Sequence, residues 1–205
     1  MSSRELILSK LRAVDINPRQ LPDVPMFDQV LPPPLLQFQS TLARMGGTWV
    51  DAPSHGNLER CIRERFPDAR VICSAVPEIT GTHRLDETLQ PAELNNVDVG
   101  IVRAGFAVAE TGSLWISERE YRVNTLGYLP QHLVALLDPA DIVGNLHHAY
   151  HRHEFREVNY CVLMSGPSAT ADIEGVLIRG AQGVRSLTVI PVNRSSAMCN
   201  VTLAR

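Results

Sequence analysis

The sequence predicts an α/β fold with a mostly parallel sheet that carries helices on both faces. Short apolar runs typical of buried strands alternate with segments of helical apolar spacing along most of the chain. The run at 132–137 is apolar almost throughout, as in a strand that is covered on both faces. The 205 residues are 44% hydrophobic and 20% charged, a composition that suits one globular domain with a sizeable core.

The core domain is predicted to span 35–205, behind an N-terminal region at 1–34. Ser2 and Glu5 have the spacing of a capping box, which predicts a short helix at the start of the chain. Six prolines between 18 and 34 then predict an extended arm. Such an arm wraps the domain, reaches a second subunit or forms a mobile linker, and the sequence leaves these alternatives open.

The remaining elements alternate between helices and strands. Apolar spacing predicts helices at 35–45, 57–66 and 138–150, and a further short helix that begins near residue 170. Apolar runs predict strands at 48–50, 70–74, 97–104, 113–117, 132–137, 158–164 and 187–192. The polar segments predicted to be loops are 75–96 and 118–130, the second of them exposed.

Composition argues against several classes of protein. The net charge is −3 and no basic stripe with interleaved aromatic residues is present, so nucleic acid is not an expected partner. No apolar run is long enough for a membrane span, and the N-terminus lacks the apolar stretch of a signal peptide. The cysteines form no Cys-x-x-Cys pair, which predicts reduced thiols in a cytoplasmic protein and no metal or iron–sulfur cluster on this chain alone. They are Cys61, Cys73, Cys161 and Cys199.

A small, hydroxyl-rich loop at 165–170 follows the predicted strand at 158–164. If the next residues open a helix, its first amides and its dipole suit an anionic or polar ligand. Gly166 would let the backbone approach that ligand, and the loop hydroxyls would hydrogen-bond it. The alternative is a capped helix start without a ligand, in which Asp172 and Glu174 complement the dipole.

The stretch at 109–113 lies between two apolar runs and is predicted to be a turn or a strand end. In a parallel sheet such ends border the ligand crevice. Glu110 would act there as an acid or base, or hold a substrate hydroxyl or amine, while Thr111 and Ser113 would hydrogen-bond a carboxylate or phosphate. The alternative is a plain turn with a solvated glutamate, in which Gly112 supplies a special backbone angle.

Three stretches together form a more specific pattern. Residues 166–174 read Gly-Pro-Ser-Ala-Thr-Ala-Asp-Ile-Glu, close after a predicted strand. Residues 97–114 contain Ala-Glu-Thr-Gly-Ser, and residues 129–134 read Leu-Pro-Gln-His-Leu-Val. In their order and wording they resemble the motifs of the LUD-domain family, in its lactate-utilisation protein C group.

The resemblance implies a three-layer fold related to the ribose-phosphate isomerase and CoA-transferase superfamily. It also implies a subunit of an iron–sulfur-linked system that oxidises L-lactate, with two companion proteins that carry the clusters. This chain would then bind a small carboxylate or phosphate ligand, or complete the assembly. It has no flavin or nicotinamide fingerprint, so a stand-alone dehydrogenase is not predicted.

The resemblance favours a functional role for both loops. The catalytic candidates are Glu110 and Asp172. The ligand-binding candidates are Thr111, Gly112, Ser113, Ser165, Gly166, Pro167, Ser168, Thr170 and Glu174. Asp172 and Glu174 stand two positions apart, so their side chains diverge on a helix, and the sequence does not settle whether either faces Glu110.

One stretch departs from the family pattern. The corresponding stretch of the family resembles Gly-Val-His-Gly-Pro, whereas this chain reads Gly-Ala-Gln-Gly-Val at 180–184. Gln182 therefore replaces a histidine and Val184 replaces a proline. Glutamine still hydrogen-bonds but does not exchange a proton near neutral pH. Substrate or activity would therefore differ here if the family's histidine is catalytic.

A histidine cluster at 147–153 has the look of a metal site, with His147 and His151 one helical turn apart. One helix supplies only two or three ligands, so no metal site is predicted. We expect a solvated helix end in which the cluster complements the helix dipole and His153 faces inward.

Two other functions stay open. By fold analogy, the chain would be an independent enzyme that acts on a phosphorylated or CoA-like small molecule, with turnover lost in Glu110→Gln or Asp172→Asn. Alternatively, it would be a binding module that senses a metabolite, with ligand-dependent stabilisation and no turnover.

Overall fold

A computed structural model describes residues 2–14, 22–53, 57–85, 89–172 and 174–194. Its helices are α1 (Ser3–Arg12), α2 (Pro34–Arg44), α3 (Leu58–Arg65), α4 (Glu118–Tyr121) and α5 (Leu146–Tyr150). Its strands are β1 (Thr48–Trp49), β2 (Ile72–Ser74), β3 (Val99–Arg103), β4 (Phe106–Val108), β5 (Ser113–Ser117), β6 (His132–Leu137), β7 (Ile142–Val143), β8 (Cys161–Ser165), β9 (Ala169–Thr170), β10 (Ile178–Arg179) and β11 (Ser186–Pro191). Short 3₁₀ turns lie at Pro91–Asn96, Asn124–Gly127, Pro139–Asp141 and His153–Arg156.

Five parallel strands form the central sheet, in the order β1–β11–β6–β3–β2. After β1 the chain crosses the whole sheet through α3 to β2 at the far edge, and then returns one strand at a time. A right-handed crossover that runs across the sheet in one direction lies on the opposite face from one that runs in the other direction. The connections from β2 to β3, from β3 to β6 and from β6 to β11 therefore lie on the face away from α3. The predicted α/β class with a mostly parallel central sheet is confirmed.

A second sheet, β7–β4–β5–β8, covers the face of the central sheet that is opposite to α3. Strands β4 and β8 run antiparallel to β5, and β7 is parallel to β4. The core between the sheets contains Leu133 and Leu187 from one sheet, and Ala107 and Leu114 from the other. Neither β4 nor a second sheet was predicted, because β4 has only three residues.

The predicted helix at 138–150 is wrong. Asp138 does cap a turn, with its carboxylate accepting the amide of Ala140, but that turn ends at Asp141. The β-branched residues Ile142 and Val143 then pair with β4, and a new cap at Asn145 begins α5. Strand pairing therefore interrupts a segment whose apolar spacing alone is typical of a helix.

The helix predicted after the loop at 165–170, here called the signature loop, is also wrong. Strands β9 and β10 form a hairpin there. Gly175 and Gly180 both have a left-handed φ, and so does Glu174 at 54°, which a helix does not allow. Val176 and Leu177, expected on a buried stripe, are exposed. Ile173, the first residue of that stripe, lies outside the described residues. The argument from helix amides and dipole therefore does not apply to this loop.

The segment at 118–130 is less exposed than predicted. It contains α4 and a 3₁₀ turn, and the side chains of Tyr121 and Leu126 are fully buried in the core. A capping box at Ser117 and Glu120 starts α4. The many polar residues of this segment favoured a loop in the prediction, although the segment contains a short helix that packs into the core through the side chain of Tyr121.

The described part of the proline-rich arm lies against the domain. Asn145, which is 3% exposed, donates from Nδ2 to the carbonyl oxygen of Met26 at 2.7 Å. The ring of Phe27 packs on His147, with 4.9 Å between ring centroids. Helix α1 has the predicted capping box but buries none of its side chains. The arm contacts the domain through Met26, Phe27 and Asp28, while residues 15–21 lie outside the described residues.

Three cysteines are free thiols among the described residues. Cys73 is buried, and burial raises the pKa of its thiol to about 11, while Cys61 and Cys161 are half-buried. Cys199, the fourth, lies outside the described residues. At neutral pH the Cys73 thiol is therefore protonated and behaves as a small apolar side chain.

Helix α2 lies against the turn that joins β4 to β5. Phe38 and Leu42 are fully buried, and Thr41 between them is 5% exposed. The Thr41 hydroxyl oxygen lies 2.6 Å from the carbonyl oxygen of Ala109 and also contacts that of Gln37. This hydroxyl is a buried polar link between the helix and the turn.

Thr41→Val should lower the free energy of unfolding by about 1–3 kcal/mol, because the buried carbonyl of Ala109 loses this contact while side-chain volume is kept. Ser40→Ala, on the exposed side of the same helix, is the control and should change stability by less than about 0.5 kcal/mol. Urea unfolding followed by circular dichroism measures both. Equal effects of the two variants would contradict the role given to Thr41.

Candidate functional site

The signature loop and the β4–β5 turn meet at one end of the second sheet. Ser113 begins β5 and pairs with Ser165, the last residue of β8. The Ser113 hydroxyl lies 2.6 Å from that of Ser165 and 2.6 Å from that of Thr111. The three hydroxyls form one hydrogen-bonded chain that is centred on Ser113, which is 2% exposed. Three separately predicted ligand-binding residues are thus brought into contact.

A pocket of about 470 Å³, here called the signature pocket, lies at the Ser165 end of this chain. It is lined by Gly127, Tyr128, Leu129, Met164, Ser165, Gly166, Pro167, Ser168, Gln182, Gly183 and Val184. Four ligand-binding candidates of the signature loop, 165–168, therefore face one pocket. Its volume is in the range typical of small-molecule sites.

Two glycines allow α2 to approach both loops. Gly112 and Gly166 have φ values of 64° and 70°, which side chains rarely adopt. A Cβ on Gly112 would lie 2.6 Å from the amide nitrogen of Leu42, and one on Gly166 would lie 2.2 Å from the carbonyl oxygen of Met45. Helix docking accounts for both glycines without a ligand. Their predicted part in ligand binding stays a prediction.

Glu110 is exposed in the β4–β5 turn. Its Oε2 accepts the amide of Leu146 at 3.0 Å, at the first residue of α5. The turn belongs to an antiparallel hairpin of the second sheet, and not to the carboxyl edge of the parallel sheet. In this geometry the carboxylate satisfies a helix amide, and it is not among the residues that line the signature pocket.

Thr170, Asp172 and Glu174 lie on β9 and in the turn after it. The Thr170 hydroxyl accepts the amide of Asp172 at 3.3 Å, and both carboxylates are exposed. None of the three lines the signature pocket. Each catalytic candidate thus has its own local setting, Glu110 at the start of α5 and Asp172 in the hairpin. Their catalytic role stays a prediction.

Tyr128 is a pocket residue that sequence reasoning missed. Its phenol oxygen hydrogen-bonds that of Tyr160, and burial raises the pKa of Tyr128 above its usual range, so the phenol keeps its proton at neutral pH. The segment was predicted to be an exposed loop, so its aromatic residues were not singled out. The available signal was an aromatic residue directly before the Leu129–Pro130 motif.

Gln182 and Val184 take different places. Gln182 is exposed and lines the signature pocket, whereas Val184 is 3% exposed and belongs to the core as well as to the pocket wall. Gln182, the predicted departure from the family pattern, therefore lies in the pocket. Among the lining residues, serine hydroxyls, a phenol and an amide supply the polar groups, so the pocket can hydrogen-bond a ligand but holds no proton carrier for neutral pH.

No group of three or more His, Cys, Asp or Glu side chains suited to a metal ion occurs in the described chain. His148 lies 3.6 Å from Asp28, and His153 contacts Glu154 and Glu157. The expectation that His153 faces inward is wrong, since its side chain is 76% exposed. Over the same residues, no helix combines the length and apolar character that a membrane span requires.

Sequence comparison places these features in a family. The LUD domain profile matches residues 80–192, and the chain belongs to the LUD-domain family. An uncharacterized protein of Neisseria meningitidis serogroup B is 28% identical over 69% of this chain and 58% of its own length. A protein of Geobacillus sp. named Lactate utilization protein C is 26% identical over 76% of this chain. This chain spans only 66% of the Geobacillus protein.

A solved structure shares the fold. The crystal structure of a DUF162 family protein from Deinococcus radiodurans superposes with a TM-score of 0.58, over 83% of this chain and all of that chain. The two sequences are 18% identical, so this similarity concerns the fold alone. The resemblance stated from the three motifs is confirmed by the family match, which covers all of them.

Gly166→Ala should lower the free energy of unfolding by about 3 kcal/mol or more. An alanine at this φ costs about 1–2 kcal/mol, and overpacking against Met45 adds a similar amount. Gly175→Ala is a matched control, because Gly175 has the same φ of 70° and nothing lies within 4 Å of its added Cβ. Urea unfolding gives both values. If both variants lose the same stability, the close approach to α2 has no energetic weight.

Proposed function

We propose that this protein takes part in lactate utilisation as the non-cluster subunit of an iron–sulfur-linked assembly that oxidises L-lactate. It binds a small anionic substrate in the signature pocket or completes the assembly with two companion proteins that hold the clusters. The name of the Geobacillus relative and the family match support the lactate role. The observation that carries the binding role is the convergence of the signature loop on one pocket.

The lining chemistry supports binding of a 2-hydroxy acid. Ser165 is oriented by the hydroxyl chain through Ser113, and the protonated phenol of Tyr128 can donate. Such donors hydrogen-bond carboxylate oxygens, and each hydrogen bond to a charged group contributes about 1.5–3 kcal/mol. Lactate has only six heavy atoms and fills a small part of about 470 Å³, so we expect weak binding by the isolated chain.

A metabolite-sensing module is the second candidate. It is favoured by one observation, which is that, among the residues the structure describes, no Asp, Glu, His, Lys or Arg side chain lines the signature pocket. General acid–base catalysis needs a group that exchanges protons near the working pH, and the lining residues offer none. An independent enzyme would have to recruit Glu110 or Asp172, and neither lines this pocket.

The assembly is tested by affinity purification of the tagged protein from its own host, grown on lactate and lysed without oxygen. Cysteine-rich companions and iron absorbance should co-purify, and the eluate should reduce a dye when L-lactate is added. A colourless protein that elutes alone from cells that express the companions would overturn the subunit role. Ligand-dependent melting without turnover would then favour the sensor.

Ser165→Ala should weaken L-lactate binding about tenfold or more, because the pocket loses a hydroxyl that the Ser113 chain orients. The shift of the melting temperature with L-lactate concentration measures this for the isolated chain. Ser40→Ala, outside the pocket, is the control and should behave like the unaltered protein. A Ser165→Ala protein that keeps the full shift would show that lactate does not bind at this loop.

A further inference from the structure

A second pocket, of about 460 Å³, lies where the strands of the central sheet begin, and we call it the amino-edge pocket. His132 starts β6, and Gln131 and Arg185 directly precede β6 and β11. Arg65 and Phe66, at the end of α3, form another part of the lining. None of the predicted ligand-binding residues lines this pocket, although the motif at 129–134 contains Gln131 and His132.

Two arginines line the amino-edge pocket. Arg185 is exposed, and its guanidinium forms no hydrogen bond or ion pair with any residue that the structure describes. Arg65 donates from Nε to the hydroxyl of Thr188 at 3.2 Å, which leaves its terminal nitrogens available. Arg65 also lies in the last turn of α3, where a cation complements the helix dipole. Arg185 has no such structural role and therefore carries more weight.

Two aspartates share the lining, and one of them is already matched by hydrogen-bond donors. The Asp98 carboxylate accepts the amides of Arg70 and Val71 at 2.8 Å each, and these bonds lower its pKa. Asp68 is exposed in the loop after α3. The charge of Arg70 also acts on Asp98. Asp98 thus has hydrogen-bond partners of its own, while its charge still acts on His132.

The contacts and the pKa of His132 show which groups act on it inside the amino-edge pocket. Its Nδ1 lies 2.8 Å from the Ser186 hydroxyl, and its ring lies 4.7 Å from the Phe66 ring, centroid to centroid. Burial lowers the pKa of His132, and Arg185 lowers it further by more than Asp98 raises it. Both effects favour the neutral form of the imidazole ring.

We propose that the amino-edge pocket binds a small ligand through an oxyanion group, a phosphate or a carboxylate, which contacts the guanidiniums of Arg185 and Arg65. Guanidinium groups match the planar or tetrahedral arrangement of such oxygens. The pocket is larger than a single phosphate, so the rest of the ligand lies against the rings of Phe66 and His132. This site is distinct from the signature pocket and does not depend on the proposed lactate role.

The test is calorimetric titration of the full chain with inorganic phosphate and, separately, with L-lactate, at constant ionic strength set by chloride. Saturable binding of at least one of them that persists in Ser165→Ala is expected, and the anion that binds in this way identifies the oxyanion. Arg185→Gln should weaken that binding about tenfold or more, and Arg185→Lys should restore part of it. Urea unfolding should find both variants as stable as the unaltered protein, because Arg185 makes no described polar contact through its side chain.

Arg63→Gln is the matched control for net charge. Arg63 is exposed on α3 and does not line the amino-edge pocket. Its replacement by glutamine removes the same charge as Arg185→Gln. An equal loss of binding in Arg63→Gln and Arg185→Gln would overturn the site in favour of diffuse surface charge. The absence of saturable binding of both anions would overturn it as well. Ser165→Ala should leave phosphate binding unchanged, which separates this result from the test of the signature pocket.

Discussion

The close approach of α2 to two glycine turns is the constraint on which the candidate site depends. Gly112 and Gly166 present bare backbone to the last turn of the helix, at distances that no Cβ tolerates. The Thr41 hydroxyl adds a polar contact to the same turn. Because these turns are held on one rigid surface, Ser113 and Ser165, which adjoin them, stay within hydrogen-bond distance of each other. The site geometry is therefore a consequence of backbone packing.

The second sheet brings family motifs that are far apart in sequence next to each other. Strand β5 lies between β4 and β8, so it joins the Ala-Glu-Thr-Gly-Ser turn to the start of the signature loop. The central sheet supplies the other wall, because residues 127–129 and 182–184 lead into its neighbouring strands β6 and β11. Part of the pocket wall continues into the core, since Val184 is a core residue and Leu129 and Met164 pack against the core.

The two pockets differ in chemistry although the same two segments of chain lead through both. The signature pocket has neutral hydrogen-bonding groups, among them the side-chain amide of Gln182. The amino-edge pocket has arginines and a histidine of lowered pKa. A lining of hydroxyl, phenol and amide groups selects ligands by the placement of donors and acceptors, whereas the two arginines of the amino-edge pocket favour an anion, although two aspartates share that lining. The groups proposed to hold the ligand therefore differ between the two pockets.

The sequence by itself determined the features that depend on neighbours along the chain. Capping at Ser2 and Asn57 and the apolar run of β6 are local patterns, so the corresponding elements were predicted close to their observed bounds. The LUD-domain family was also readable, because its three motifs are short and contiguous. The hydroxyl residues of the signature loop were found for the same reason, as a composition that favours ligand binding.

Only the tertiary structure decided what each motif residue contacts. The helix expected over 138–150 gave way to β7 because Ile142 and Val143 pair with a strand more than thirty positions away. Tertiary contacts also determine the setting of Glu110, whose carboxylate accepts an amide at the start of α5. They determine that of Gly166 as well, because its lack of a side chain allows α2 to approach. Sequence patterns report the period and the composition of a segment. They do not report which distant surface it meets, and that surface assigns each of these residues its role.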